Sequence, residues 1–246
     1  MTVVPIFGIG EITPETDLAA VLHAALEAQA TPLKDGDIVV VTQKIVSKAE
    51  GCLVDLADVA PSELARNWAA RWDKDPRVVE LVLRQSRRIV RMDRGVIIAE
   101  TFHGLVCANA GVDQSNVGGA RVTLLPTDPD ASAERLRDGL STRSGVRVGI
   151  IITDTHGRAW REGQVNLAIG VAGVEALRHF EGQLDPTGYE LRVTLLATAD
   201  ELASAAELVM GKIDQVPAAL VRGLTRALGE GKATQLVRPA ATDLFR

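Results

Sequence analysis

The sequence predicts an α+β protein in which mixed sheets pack against helices, and three observations point that way. Two runs, the continuous apolar Ile38 to Thr42 and the largely apolar Val146 to Thr153, have the length and β-branched content of buried strands. Elsewhere, apolar residues recur at helical spacing. Strand and helix signals alternate too irregularly for a classical doubly wound sheet. At 246 residues the chain is long enough for two intimately joined subdomains, and their division is expected somewhere after residue 83.

In chain order, Thr2 to Phe7 reads as a strand. From Asp17, the positions Leu18, Val21, Leu22, Ala25 and Leu26 trace one helical face. Asp35-Gly36 turns the chain into the strand at Ile38. Pro61 is expected to open a helix, where its missing N–H costs little, and Pro76 the next one. Strands are predicted at 95–101, 105–108 and 121–125. A helix begins at Pro129 with Leu136 and Leu140 on one face. After the run ending at Thr153 come a glycine-broken segment and a turn at Asp185-Pro186-Thr187-Gly188. A strand at 191–198, a helix at 200–210 and a strand at 216–222 close the prediction.

Composition excludes several classes of function. The formal net charge is -5, and three Trp, one Tyr and four Phe are too few rings for a stacking surface, so no nucleic-acid partner is expected. No window has the roughly 18 consecutive apolar residues of a membrane span, and the N-terminus lacks the basic segment and apolar core of a secretory signal. A cytoplasmic protein is expected. Cys52 and Cys107 form no CxxC pair and read as reduced, buried thiols.

The sharpest local feature is Gly149-Ile150-Ile151-Ile152-Thr153-Asp154-Thr155, followed by His156-Gly157-Arg158-Ala159-Trp160-Arg161. Here a carboxylate and a hydroxyl leave a buried strand for a loop that holds two arginines. Hard divalent cations take oxygen ligands of this kind, though a strand-ending Asp that caps a turn fits equally well. The stretch Cys107-Ala108-Asn109-Ala110-Gly111-Val112-Asp113-Gln114-Ser115-Asn116 offers a carboxylate and an amide among small residues. Its plainer reading is a glycine-rich turn. Lys44 and Lys48 would point the same way on a helix and neutralise a phosphate, or else be solvated surface lysines. Gly8-Ile9-Gly10 lacks the third glycine of a dinucleotide fingerprint. Neither Gly211-Lys212 nor Gly231-Lys232 precedes Ser or Thr, so a P-loop is absent. The four histidines show no zinc spacing, and no serine-hydrolase elbow is present. His156 adjoins the candidate metal loop, whereas His23 reads as structural.

Taken together, the blocks DGDIVVVTQKIVSKAEG, CANAGVDQSNV, LLPTDPDASAERLR, VGIIITDTHGRAWREGQVNLAIGVAG and ATADELASAAELVMGK resemble the coenzyme F420-0:L-glutamate ligase, or γ-glutamyl ligase, family. The resemblance runs from Pro5 to about Gly223 and implies a single unit over residues 1–246. It implies a GTP- and divalent-metal-dependent enzyme that joins L-glutamate to coenzyme F420-0, and then further γ-linked glutamates, through an acyl phosphate. The implied ions are Mg²⁺ or Mn²⁺, with K⁺ as a further ion, and the implied assembly is a homodimer. Asp113 and Asp154 are implied to bind metal, with Thr155 on a second ion. Gly8, Ile9, Gly10, Glu11, Gln43, Lys44, Lys48 and Asn116 are implied to contact GTP. The loop from Met210, Gly211 and Lys212 to about Pro217 is implied to close over the nucleotide. Lys212 departs from the family pattern, because relatives can carry a metal-binding Gln there and an ammonium cannot coordinate. Some relatives carry a fused nitroreductase-like domain, and the sequence ends at Arg246 without one.

Arg158 and Arg161 are candidates to clamp a substrate carboxylate or phosphate by bidentate contacts, with ordinary surface salt bridges as the alternative. Trp160 suits core packing better than stacking on a substrate. Two other functions fit the same residues. One is a metal-dependent phosphotransferase or phosphohydrolase on another substrate, and the other is a non-catalytic partner protein of the same fold.

Overall fold

A computed structural model describes residues 1–243. The strands and helices run β1 Thr2–Pro5, α1 Leu18–Ala28, β2 Ile38–Thr42, α2 Gln43–Ala49, β3 Leu53–Asp55, α3 Glu63–Trp72, α4 Pro76–Arg84, β4 Ser86–Asp93, β5 Val96–Thr101 and β6 Val106–Ala108. They continue with β7 Arg121–Thr123, α5 Pro129–Ser144, β8 Gly149–Arg158, β9 Arg161–Ala172, β10 Arg178–His179, β11 Leu195–Leu196, α6 Thr198–Met210 and β12 Ala218–Arg222. The fold is α+β, as the sequence predicts. Among the described residues no helix is long and apolar enough to cross a membrane.

The main sheet has the order β1-β12-β2-β8-β9, and only its β2–β8 pair is parallel. Along β2, Val39 and Val41 face Leu22, Leu26, Leu136 and Leu140 of α1 and α5. Ile38 and Val40 face Leu202, Ala203 and Ala206 of α6. Because helices cover both faces, successive residues of one strand enter different cores, and the strand reads as an unbroken apolar run. A third core joins α3 and α4 to the antiparallel sheet β4-β5-β6 and the β3–β7 pair, through Leu56, Ala69, Val82, Ile97, Ala99 and Val122.

Polar side chains pin the helices to this frame. Asp17 and Asp128 cap α1 and α5 by accepting from Ala20 N and Ala131 N, each worth about 1 kcal/mol. Gly145 ends α5 in the left-handed conformation. Buried Asp130 accepts from Val171 N and Ala233 N, each at 2.8 Å, and so ties α5 to β9 and to the segment beyond β12. At Gly170 an added Cβ would lie 2.3 Å from the Pro129 carbonyl oxygen. We expect Gly170→Ala to cost about 1–3 kcal/mol, because the obstacle is backbone and cannot swing aside. An unchanged urea midpoint would show that α5 shifts freely.

The structure departs from the sequence reading in several places. Helix α3 starts at Glu63 with Ser62 as its cap, so Pro61 lies just before the helix. The predicted strand at 191–198 shrinks to Leu195–Leu196 in a small exposed pair with β10. Strands β4 and β9 were not predicted. Strand β8 continues to Arg158, so Asp154 and Thr155 lie within it and not in a loop beyond its end.

Candidate active site

The site forms where the parallel pair ends. Thr42 pairs with Thr153, so the start of α2 and Asp154 leave the same end of the sheet. Helix α2 follows β2 without a loop. Its lysines, one turn apart, each meet a carboxylate. Lys44 Nζ donates to Asp113 Oδ2 at 2.6 Å, to the Ser115 carbonyl at 2.6 Å and to Ser115 Oγ. Lys48, whose side chain is 8% exposed, donates at 2.6 Å to Glu11 Oε1, which is 76% exposed. The amide oxygen of buried Gln43 accepts from Ser47 Oγ at 2.8 Å.

Asp113 sits in the turn after β6 and accepts from Ser115 N at 2.7 Å. Burial works to raise its pKa, but hydrogen bonds from Lys44 and Ser115 outweigh burial, and the carboxyl titrates below its ordinary range. Cys107 lies upstream in β6. Burial and the nearby Asp154 carboxylate push its thiol up to about 12, so it stays protonated at neutral pH. Both cysteines are free thiols; Cys107 is buried and Cys52 half-buried.

Asp154 is half-buried, with His156 Nε2 3.3 Å from its Oδ2. That ring nitrogen is itself buried and makes no hydrogen bond. Thr155 Oγ1 donates to Asn166 Oδ1 at 2.8 Å and accepts from Lys212 Nζ. Asn166 lies on β9, which the sequence reading missed, and no local signal marks it. Ser115 was part of a quoted block but was given no role, although it joins Lys44 to Asp113.

The remaining candidates lie in loops, at the end of α6 and at a hairpin tip. Gly8, Ile9, Gly10 and Asn116 border the site in loops; Gly8 and Asn116 have positive φ, and an added Cβ at Gly8 or Gly10 would meet nothing. Met210 is buried in the α6 core, and Gly211 turns the chain out with positive φ into an exposed segment. Arg158 and Arg161 face one another at the exposed end of the β8–β9 hairpin, and Arg158 donates to the Glu162 carbonyl at 3.2 Å. Trp160 at the hairpin tip is 81% exposed, which overturns the expectation of core packing.

Among the described residues no three His, Cys, Asp or Glu side chains converge. A divalent ion that takes nucleotide phosphates and water needs only one or two carboxylates, the ligand type that Asp113 and Asp154 offer. Asp113 shares its Oδ2 with the Lys44 ammonium, but as an anion it offsets that charge, which the neutral Thr155 hydroxyl does not. Thr155 fits a second ion poorly. An ammonium already occupies its hydroxyl, and a divalent ion about 4 Å away would be repelled by about 8 kcal/mol at an effective dielectric near 20.

The sequence profile of the F420-0:Gamma-glutamyl ligase family matches residues 8–223. The chain belongs to this family. Three proteins named coenzyme F420:L-glutamate ligase resemble it over most of their length. The Methanopyrus kandleri protein is 46% identical over 96% of this chain and 94% of its own. The Methanothermobacter thermautotrophicus protein is 43% identical over 98% and 95%. The Methanocaldococcus jannaschii protein is 44% identical over 87% and 86%. As a member of the γ-glutamyl ligase family the chain is an enzyme, and the matched span includes every site residue from Gly8 to Lys212.

Proposed function

We propose that this enzyme joins L-glutamate to the carboxylate of coenzyme F420-0 in the cytoplasm, consuming GTP. Near-full-length family membership supports the acceptor and the donor. The single structural observation that supports a triphosphate is the buried Lys48 of α2 at the mouth of the main sheet, whose partner Glu11 is an exposed carboxylate. A carboxylate and an amine do not condense usefully in water. The acceptor carboxylate therefore attacks the γ-phosphorus, GDP leaves, and an acyl phosphate forms. The glutamate nitrogen then attacks the acyl carbon, loses a proton and expels phosphate.

The chain's own residues have definite tasks in this scheme. Lys48 exchanges the exposed Glu11 carboxylate for a phosphate oxygen. Lys44 holds Asp113 as an anion, and Asp113 with Asp154 would hold a divalent ion. When bound, that ion offsets the charge that develops during phosphoryl transfer. Protonated Cys107 is no nucleophile, in keeping with direct transfer between substrates.

Incubation with coenzyme F420-0, glutamate, Mn²⁺ and GTP should yield amide product in step with GDP and phosphate. Equal turnover with ATP would refute the choice of nucleotide. Release of a nucleoside monophosphate and pyrophosphate would sink the acyl phosphate. GTP consumption without amide product would favour a phosphohydrolase. Lys48→Ala removes one charge-assisted contact worth roughly 1.5–3 kcal/mol, so GTP affinity should fall about ten- to a hundredfold. Unchanged affinity in a calorimetric titration would show Lys48 to serve only its pair with Glu11.

A further inference from the structure

The three lysines of the site differ in how many protons they have to spare. An ammonium has three N–H donors. Lys44 spends all three, on Asp113 Oδ2, the Ser115 carbonyl and Ser115 Oγ. Lys48 spends one, on the Glu11 carboxylate, which balances its charge. Lys212 also spends one, but among the described residues its acceptor is the uncharged Thr155 Oγ1. That contact is oriented, because the Thr155 proton is given to Asn166 Oδ1 at 2.8 Å, which turns the hydroxyl lone pairs toward Lys212. Asn166 is 3% exposed, and its backbone carbonyl accepts from Ser204 Oγ of α6 at 2.8 Å. The anchor for the ammonium is therefore rigid, although Lys212 lies in an exposed turn. Thr155 follows Asp154 directly in β8, so the anchored charge reaches the strand that carries the carboxylate proposed to hold metal.

We propose that Lys212 takes the place of a second divalent ion. The enzyme then works with one such ion, at Asp113 and Asp154, while the Lys212 ammonium supplies the other positive charge and offers its two spare N–H groups to phosphate oxygens. This inference rests on the metal- and GTP-dependent reading above. A tethered ammonium does not dissociate, so the second charge is independent of metal concentration. It also repels any divalent ion that approaches the Thr155 hydroxyl.

The test counts Mn²⁺ bound per chain by equilibrium dialysis at saturating GDP, for the wild type and for Lys212→Gln, Lys212→Met and Asp154→Asn. Gln is neutral and reaches the same place with an oxygen donor, whereas Met is neutral without one. The expected counts are one ion for the wild type, two for Lys212→Gln and one for Lys212→Met. The wild-type ion should be lost in Asp154→Asn, which locates it at the proposed site. All three substitutions lie at exposed or half-exposed positions, and matching melting curves without metal confirm folding. Two ions in the wild type, or one in Lys212→Gln, would overturn the proposal while leaving metal dependence intact. No ion in the wild type, or an ion indifferent to Asp154→Asn, would remove the metal reading itself and this inference with it.

Discussion

Asp154→Asn is expected to abolish ligation and to erase most of the stabilisation that Mn²⁺ confers. An ion held only by the folded state stabilises it by about 2.7 kcal/mol at one hundred times its dissociation constant. For a chain of this size that corresponds to roughly 5–10 °C in melting temperature. Without metal, the Asn variant should be no less stable than the wild type, because among the described residues Asp154 has no Lys or Arg within ion-pair distance, and the His156 ring beside it makes no hydrogen bond. Asp113→Asn should lose ligation and the metal shift too, but with a different signature. Its carboxylate balances Lys44, so the metal-free variant should itself be destabilised by about 1 kcal/mol, a modest figure because Asp113 is partly exposed. Melting curves of both variants with and without Mn²⁺ decide the matter. Either variant retaining the full metal shift and near-normal turnover would make that aspartate structural.

The largest effect on the fold should come from Arg222→Met. Asp37 is 1% exposed and receives the Arg222 guanidinium through two bonds, at 2.9 and 2.6 Å. With the arginine gone, the buried carboxylate keeps, among the described residues, only the Lys34 N–H, at 2.8 Å. An orphaned buried charge costs about 3–5 kcal/mol. Arg222 is partly open to water, so the lower end applies, and melting should fall by roughly 6–12 °C. The double variant Asp37→Asn with Arg222→Met should recover much of the loss, since no charge is then stranded. A single variant that loses under 1 kcal/mol in urea would show that water replaces the arginine.

Much of this architecture was legible in the sequence, for physical reasons that differ by element. Strand β2 was clear because a strand buried on both faces has no polar alternation to disguise it. Helices α1 and α5 were clear because each pairs a cap residue with periodic leucines. Strand β9 was missed because its first half is exposed and polar, from Arg161 to Gln164, and its second half is broken by Gly170, which is needed against Pro129. Strand β4 was missed because arginines crowd a strand at the edge of its sheet. At the site, the residue types were readable, but their partners were not. Nothing in the order of residues announces that Lys48 meets Glu11, or that Lys212 meets Thr155 from the far end of α6. Trp160 was misjudged because size and apolarity suggest a core, whereas a hairpin tip has none to offer.

The strand order has a consequence for how the protein is made. Strand β12 lies between β1 and β2, yet it is the last strand of the main sheet to leave the ribosome. Until it emerges, β1 has no neighbour and β2 has one bare edge. At 5–20 residues per second, that wait lasts roughly 10–35 s after β2 is complete. Once β8 has emerged, the strands that bring Lys44 and Asp154 to one end of the sheet are joined by the β2–β8 pairing, while the other edge of β2 stays open until β12 arrives. Apolar residues such as Val39 and Val40 stand beside an unpaired edge, a template for association with other nascent chains. Synthesis at high density should therefore reward a chaperone that shields this edge, more than any change that strengthens the finished fold.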